Sequence, residues 1–178
     1  MSLDEVRQEI NTIDTRLKEL FLKRMDCSGQ VAEEKKKTKG SVYVREREAE
    51  IIARELADVP EEKKPEYEMF LKQVITISRT YQYSRMDLPE GLEEIRDHRG
   101  ELSIGFSCGE SLDRISGALL ALKMAGIALQ EIQAREGQGK NMYCQMRVSG
   151  DFTGALAKGA VLQIYEENEE VSVQKIAE

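Results

Sequence analysis

Apolar residues recur at steps of three and four through the first 38 residues and predict one long helix, from Ser2 to about Thr38. The apolar stripe reaches Leu20, and the position that would continue it is occupied by Arg24. Apolar residues then resume at Cys27 and Val31. A permanently charged guanidinium within such a stripe costs stability unless an anion meets it. The pattern therefore indicates that this helix receives an acidic ligand. The stripe before Arg24 consists of Leu3, Val6, Ile10, Ile13, Leu17 and Leu20.

Two further cations accompany the stripe. Lys35 follows Arg24 by about three helical turns, so the two side chains project from nearly the same face, roughly 16 Å apart. Arg7 lies near the other end of the helix, about 25 Å from Arg24 along the axis, which is too far to share a small site with it. If Arg7 belongs to the same site, it must come from a second copy of the helix running antiparallel. The sequence thus predicts a homodimer or a higher oligomer.

Two shorter helices are predicted next, over 45–57 and 66–85. Glu48 lies on the apolar face of the first of them, where a carboxylate either forms an ion pair with a cation or has a functional role. On the second, Ser78 and Gln82 bring a hydroxyl and an amide to the edge of the apolar face. The residues predicted to face inwards on that helix are Tyr67, Phe70, Leu71, Val74, Ile77 and Tyr81.

The periodicity changes at Glu101. Leu102, Ile104 and Phe106 alternate as in a strand, and a helix over 112–126 follows. A strand over 127–135, a glycine-rich turn at 137–139, a strand around 142–148, a helix around 156–164 and a strand at 171–173 complete the chain. The order βαββαβ is that of a ferredoxin-like domain, an antiparallel four-stranded sheet with two helices on one face. The predicted fold class is therefore α + α/β with two domains, at 1–87 and 101–178, joined by a linker at 88–100.

Composition and charge narrow the functional classes. The net charge of −7 argues against nucleic acid or an anionic membrane surface as a partner. No apolar run approaches the ~20 residues of a bilayer span, so the expected compartment is the cytoplasm. Cys27, Cys108 and Cys144 lack metal-ligand spacing and are predicted to be small core residues, and His98 is the single histidine. The sequence therefore predicts no metal, no cofactor and no nucleophile with a base.

Seven polar and charged residues on the three predicted helices of the first half resemble the active-site pattern of the all-helical class of chorismate mutases. In that family two chains interlock through long first helices, and each site takes one arginine from the partner chain. The resemblance implies the Claisen rearrangement of chorismate to prephenate, on the route to phenylalanine and tyrosine. This one-molecule step needs no nucleophile, proton transfer or cofactor. The seven residues are Arg7, Arg24, Lys35, Arg47, Glu48, Ser78 and Gln82.

The resemblance also implies roles for the catalytic residues. Arg24 holds one carboxylate of chorismate, and Lys35 and Gln82 donate to the ether oxygen that gains negative charge as the C–O bond breaks. Glu48 accepts a hydrogen bond from the ring hydroxyl. Fixing the substrate in its reactive, diaxial shape supplies the remaining acceleration.

Four other residues are expected to bind the substrate. By resemblance, Arg7 of the partner chain holds the second carboxylate, Arg47 helps to place the hydroxyl contact, and Ser78 lies near a carboxylate. Val44 stands where some members of the family carry an aspartate, so a contact at this position is limited to the backbone.

The second half of the chain resembles an ACT domain, a module that commonly binds an amino acid and regulates the attached enzyme. Leu112 and Asp113 occupy one motif position of the phenylalanine-binding version, and Arg135 agrees with the other. These three are the candidate effector-binding residues, with an aromatic amino acid as the candidate effector. A role in reinforcing the dimer is the alternative for this half.

Two other functions fit the residue types. A non-catalytic ligand-sensing or dimerisation protein would keep the helical half as a platform, although a platform has no reason to place Glu48 on an apolar face. An isochorismate pyruvate lyase-like enzyme would use a similar site for pyruvate elimination.

Overall fold

The computed structural model describes residues 1–109, 112–136 and 141–176. Three helices come first and form the helical region: α1 (Leu3–Thr38), α2 (Arg45–Leu56) and α3 (Lys64–Tyr83). The sheet region follows with β1 (Arg99–Gly109), α4 (Leu112–Met124), β2 (Ala128–Glu136), β3 (Met142–Asp151), α5 (Ala155–Glu167) and β4 (Glu169–Lys175). The predicted three-helix and βαββαβ arrangement is confirmed.

The first helix leaves most of its predicted apolar stripe uncovered by its own chain. Ser2 caps α1 through a reciprocal pair of hydrogen bonds with Glu5, which fixes the start of the helix. Residues 7–20 are all exposed, and the larger apolar side chains of this half are 45–64% exposed. Only the second half of α1 packs on α3, where Ser28 and Ala32 are buried. The interpretation of Cys27 as a core residue is wrong, because its side chain lies on the exposed side of the helix.

The third helix connects the two regions, because it packs against α1 and α2 on one side and against α4 and α5 on the other. Its buried positions are therefore more polar than its apolar periodicity indicates. Phe70, predicted to face inwards, is 50% exposed, because the sheet region covers the opposite, C-terminal part of the helix. The buried residues of α3 are Ile75, Thr76, Ser78, Thr80, Gln82 and Tyr83.

The sheet has the strand order β2-β3-β1-β4, and each pair of neighbouring strands is antiparallel. Alternation along β1 and β3 turns one face towards α4 and α5, which fill it with small and branched side chains. Phe106 and Met146 are fully buried in this layer, whereas every residue of β2 is exposed. The main hydrophobic core of the chain therefore lies between the sheet and its two helices.

The segment predicted as a linker contributes to this core. It contains a short 3₁₀ turn, Glu93–Ile95, and both Leu92 and Ile95 are buried. The ring of His98 stacks on Phe152, with the ring centroids 5.8 Å apart. The division at 1–87, 88–100 and 101–178 stays a prediction, and the predicted turn at 137–139 lies outside the described residues.

Within residues 1–109, 112–136 and 141–176, no helix combines the length and the hydrophobicity of a membrane-spanning segment. The same ranges contain no cluster of three or more histidine, cysteine, aspartate or glutamate residues arranged to hold a metal ion.

Gly159 allows α5 to approach the end of α3 closely. A Cβ at Gly159 would lie 2.5 Å from the backbone nitrogen of Ser84 and 2.6 Å from its Cα. We expect Gly159→Ala to lower the free energy of unfolding by about 1–3 kcal/mol, measured by urea denaturation, because neither backbone can yield cheaply. Gly117→Ala in α4 is the matched control, since its nearest neighbour is a methyl carbon of Thr76 at 4.0 Å. The control should be neutral or stabilising. Equal stability of the two variants would contradict the close approach.

Candidate active site

Arg24 and Ser78 meet where α1 packs on α3. The Nη1 of Arg24 donates to the Ser78 hydroxyl in a short hydrogen bond, and lies 3.4 Å from the backbone oxygen of Val74. Ser78 is held in turn, because its hydroxyl also donates to that oxygen at 2.9 Å. Burial lowers the pKa of Arg24, although Cys27 and Glu48 oppose the shift. Two of the predicted residues are thus joined directly, with a partly desolvated guanidinium between the helices.

Lys35 lies about three turns after Arg24 on α1, and its side chain extends towards the loop that precedes α2. Its Nζ donates to the backbone oxygen of Val42 at 2.8 Å. Burial lowers the pKa of Lys35, and the neighbouring charge of Arg47 lowers it further, whereas Glu48 opposes both. Because the charge of Glu48 raises the pKa of both Lys35 and Arg24, both cations lie within the electrostatic reach of this carboxylate.

Glu48 is engaged by an arginine that the sequence pattern did not single out. Its Oε2 accepts a short hydrogen bond from Nη1 of Arg79 on α3. The Nε of the same guanidinium lies 2.8 Å from Oε1 of Glu167, at the end of α5, in ionic contact without hydrogen-bond alignment. One arginine therefore lies between a carboxylate of the helical region and a carboxylate of the sheet region.

The electrostatics of this trio follow from burial. Desolvation opposes the charge of Arg79, but Glu167 and Glu48 together raise its pKa, so the guanidinium stays charged. Burial also raises the pKa of Glu167 to about 7, although Arg79 opposes the shift. Both pKa values are raised, which favours the charged form of Arg79 and the neutral form of Glu167, because the side chain of Glu167 is only 7% exposed and shares its arginine with Glu48.

Three predicted residues contribute differently. Gln82 is buried on α3, and its Oε1 has no hydrogen-bond partner within the described ranges. Val44 precedes α2 with an extended backbone and forms no side-chain cap. Arg7 lies on the exposed half of α1, where it forms an exposed ion pair with Asp4 at 3.5 Å. One chain therefore does not bring Arg7 to the other predicted residues.

A cavity of about 430 Å³ lies between α2, α3 and α4. Of the predicted catalytic residues only Glu48 lines it, beside Arg79, Glu167 and Arg114. Arg24, Lys35 and Gln82 are not among its lining residues. The cavity is thus distinct from the Arg24–Ser78 contact, although Glu48, which lines the cavity, also acts on the charge of Arg24.

The stretch that carries these contacts matches a known family. Residues 6–83 match the family model of chorismate mutase type II. Residues 6–83 are a chorismate mutase type II domain. No curated protein matches the chain. The matched stretch contains α2, α3 and nearly all of α1, so the Arg24–Ser78 contact, Lys35 and Glu48 all belong to the chorismate mutase domain. A domain of this family indicates an isomerase.

The candidate effector residues lie outside this chorismate mutase domain, and they do not form one site: Leu112 and Asp113 begin α4, whereas Arg135 lies on β2. Asp113 lines the cavity between α2, α3 and α4 and forms an ion pair with Lys72 of α3 at 3.0 Å. Leu112 is 71% exposed at the start of α4. The guanidinium of Arg135, on β2, lies 5.3 Å from the ring centroid of Tyr143 on the neighbouring strand. Of the three, Asp113 alone lines the cavity beside the chorismate mutase domain.

The sequence analysis missed Arg79 and Glu167. Arg79 is the one charged residue in the stretch from Gln73 to Ser84, half of which is buried. That signal was available, since a charge in a buried helical stretch needs an opposite charge. Glu167 gave no comparable signal, because it follows another glutamate near the end of a helix and resembles a solvated terminus.

Proposed function

We propose that this protein is a chorismate mutase whose active sites are each built from two chains. The observation that carries the proposal is the contact between Arg24 and Ser78 within the family-matched stretch, where the charge of Glu48 acts on both Arg24 and Lys35. Two partly desolvated cations in one neighbourhood suit a small dianion such as chorismate. An anion so placed also relieves the cost of burying them.

The catalytic roles follow from the electrostatics of the rearrangement. Negative charge grows on the ether oxygen of chorismate as its C–O bond breaks, so fixed donors there stabilise the transition state more than the ground state. Lys35 and Gln82 are the proposed donors to this oxygen. Glu48 accepts from the ring hydroxyl, and Arg24 holds a carboxylate. These contacts hold the substrate in the diaxial shape from which the new bond forms.

Substrate binding is completed by four further positions. We assign the second carboxylate to Arg7 of a second chain and a nearby carboxylate contact to Ser78. Arg47, which acts electrostatically on Lys35, helps to place the hydroxyl of the substrate. At Val44 a contact is restricted to the main chain, so substrate affinity rests mainly on the arginines.

The second chain is proposed to cover the exposed stripe of α1. Residues 7–20 are exposed in the single chain, and Ile10, Ile13 and Leu17 form a continuous apolar row along this half of the helix. A row of this spacing packs against another helix. A second α1 running antiparallel would cover the row and carry its own Arg7 towards Arg24.

We expect a charge within this row to dissociate the dimer. Leu17→Asp places a carboxylate where the second helix would pack, and burial of that charge would be costly. Analytical ultracentrifugation should show a monomer with little chorismate mutase activity. Thr15→Asp lies on the opposite side of α1 and is the control, which should stay dimeric and active. A dimer that persists in Leu17→Asp would exclude this row as the interface.

A regulatory role is proposed for the sheet region. The cavity between α2, α3 and α4 has both signs of charge and apolar surface in its wall, which suits a zwitterionic amino acid with an apolar side chain. Asp113 and Arg114 at its edge come from the sheet region, whereas Glu48 comes from the chorismate mutase domain. An amino acid bound there would contact both regions.

One assay separates the candidate functions. Purified protein is incubated with chorismate and, in a parallel reaction, with isochorismate. The disappearance of each substrate and the identity of the product are followed, with and without phenylalanine or tyrosine. Prephenate is the expected product. No turnover of chorismate would favour the ligand-sensing protein, and pyruvate release from isochorismate would favour the lyase. A change of rate with either amino acid would support regulation.

A further inference from the structure

The guanidinium of Arg79 is fixed from several sides. Glu48 and Glu167 contact different nitrogens of it, Nη1 and Nε. The ring of Tyr43 lies against it, with the guanidinium carbon 4.9 Å from the ring centroid. The other guanidinium on this ring belongs to Arg114 of α4, at 4.7 Å. Arg79 is therefore held by charge and by stacking in a side-chain cluster that both regions build.

We propose that Arg79 and Glu167 are positioning residues for Glu48, through which the sheet region fixes the geometry of the active site. The proposal rests on the proposed function, in which Glu48 accepts a hydrogen bond from the ring hydroxyl of chorismate. Neither Arg79 nor Glu167 is assigned a contact with the substrate.

The two carboxylate oxygens of Glu48 have different contacts, and this difference supports the positioning role. Arg79 engages Oε2, and the hydrogen bonds described for Glu48 leave Oε1 unengaged. Holding one oxygen fixes the plane of the carboxylate and thus the direction in which the other oxygen accepts. A glutamate on the half-buried face of α2 would otherwise sample several rotamers, and each substrate encounter would have to select one.

The sheet region supplies the opposite anchor of the arginine. Glu167 ends α5, and Nη1 of Arg114 on α4 donates to its backbone oxygen in a short hydrogen bond. The backbone of Glu167 is thereby attached to both helices of the sheet region, which fixes the point from which its side chain reaches Arg79. Because Arg79 cannot turn away from Glu167 without leaving a buried carboxylate unpaired, its second contact, to Glu48, is fixed as well.

A double-mutant cycle on the full-length protein tests the coupling. Glu167→Gln keeps the shape of the side chain and removes its charge, and Glu48→Gln does the same at the active site. We expect Glu167→Gln to lower kcat/KM about tenfold in the wild-type background and less than about twofold in the Glu48→Gln background. A residue with a merely structural role would lower activity by the same factor in both backgrounds.

Two further variants serve as controls. Glu166→Gln neutralises the adjacent, exposed glutamate of the same helix and should leave kcat/KM unchanged in both backgrounds. Arg79→Lys keeps the positive charge but cannot contact both carboxylates with a planar fork, so it should lose activity together with the coupling between Glu48 and Glu167. It also serves as the second variant should Glu167→Gln fail to fold.

The outcomes are distinct. Equal effects of Glu167→Gln in both backgrounds, or no effect in the wild-type background, would overturn the positioning role while leaving the chorismate mutase function standing. Retained coupling in Arg79→Lys would overturn the role of the guanidinium. Absence of chorismate turnover in the wild-type protein would overturn the proposed function and this inference together.

Discussion

Replacement of Lys35 by alanine is expected to lower kcat/KM at least about a hundredfold, because a fixed donor at a developing oxyanion typically contributes about 3–4 kcal/mol. The loss should fall mainly on kcat, since the charge on the ether oxygen exists only as the C–O bond breaks. Lys35 is preorganised for this role, because its Nζ donates to the backbone oxygen of Val42 at 2.8 Å and is thereby held in one place. Steady-state kinetics with chorismate measure the effect.

The fold should survive the substitution. The hydrogen bond lost at Val42 contributes about 1 kcal/mol, so circular dichroism and urea denaturation should show a folded protein. Lys37→Ala removes an exposed lysine from the same helix end and is the control for net charge, with near-normal kinetics expected. Arg24→Ala should lose activity to a similar extent as Lys35→Ala. Near-normal turnover in Lys35→Ala would refute the assigned role.

The second large effect is expected when two inactive variants are mixed. Arg7→Ala and Arg24→Ala should each be nearly inactive alone, because each lacks one of the two carboxylate contacts in every site. After subunit exchange, a mixed dimer regains one pocket with Arg7 from one chain and Arg24 from the other. Random pairing of equal amounts should then restore about a quarter of the wild-type sites, and of the activity.

The mixing experiment carries its own controls. Subunit exchange is verified independently by labelling the two variants differently, and a mixture of Arg24→Ala with Lys35→Ala tests the geometry. Both of those residues are assigned to the same chain in each site, so no mixed dimer of these two variants contains an intact pocket. Full exchange without recovery in the first mixture would show that Arg7 does not act across the dimer.

Much of the architecture was predictable because local patterns dictate it. The helical spacing from Leu3 to Leu20 and the cap at Ser2 defined α1, whose ends need no tertiary information. Alternation in β1 and β3 gave strands with one buried face, and the order of elements left few topologies for the sheet. The Arg24–Ser78 contact joins two residues that the pattern had singled out separately, one within the stripe of α1 and one at the edge of the apolar face of α3.

What could not be predicted depends on packing between distant elements. Phe70 satisfies the apolar periodicity of α3, yet it is exposed because the sheet region covers the C-terminal part of this helix. Glu167 reads as a solvated helix end until α5 is placed against α3, when it becomes a buried partner of Arg79. Periodicity reports which face of a helix is apolar, but not how many neighbours it has or which of them carries the opposite charge.

The exposed half of α1 makes the helicity of residues 7–20 depend on the proposed association of two chains. Residues 7–20 extend the packed half of the same helix without tertiary contacts of their own, so their helicity rests on propagation, which is only weakly favourable in water. In the proposed dimer, these turns gain their stability when a second chain lies against them. During refolding, the last increment of helicity should appear at a rate set by the encounter of two chains, and dilution alone should unwind this end first.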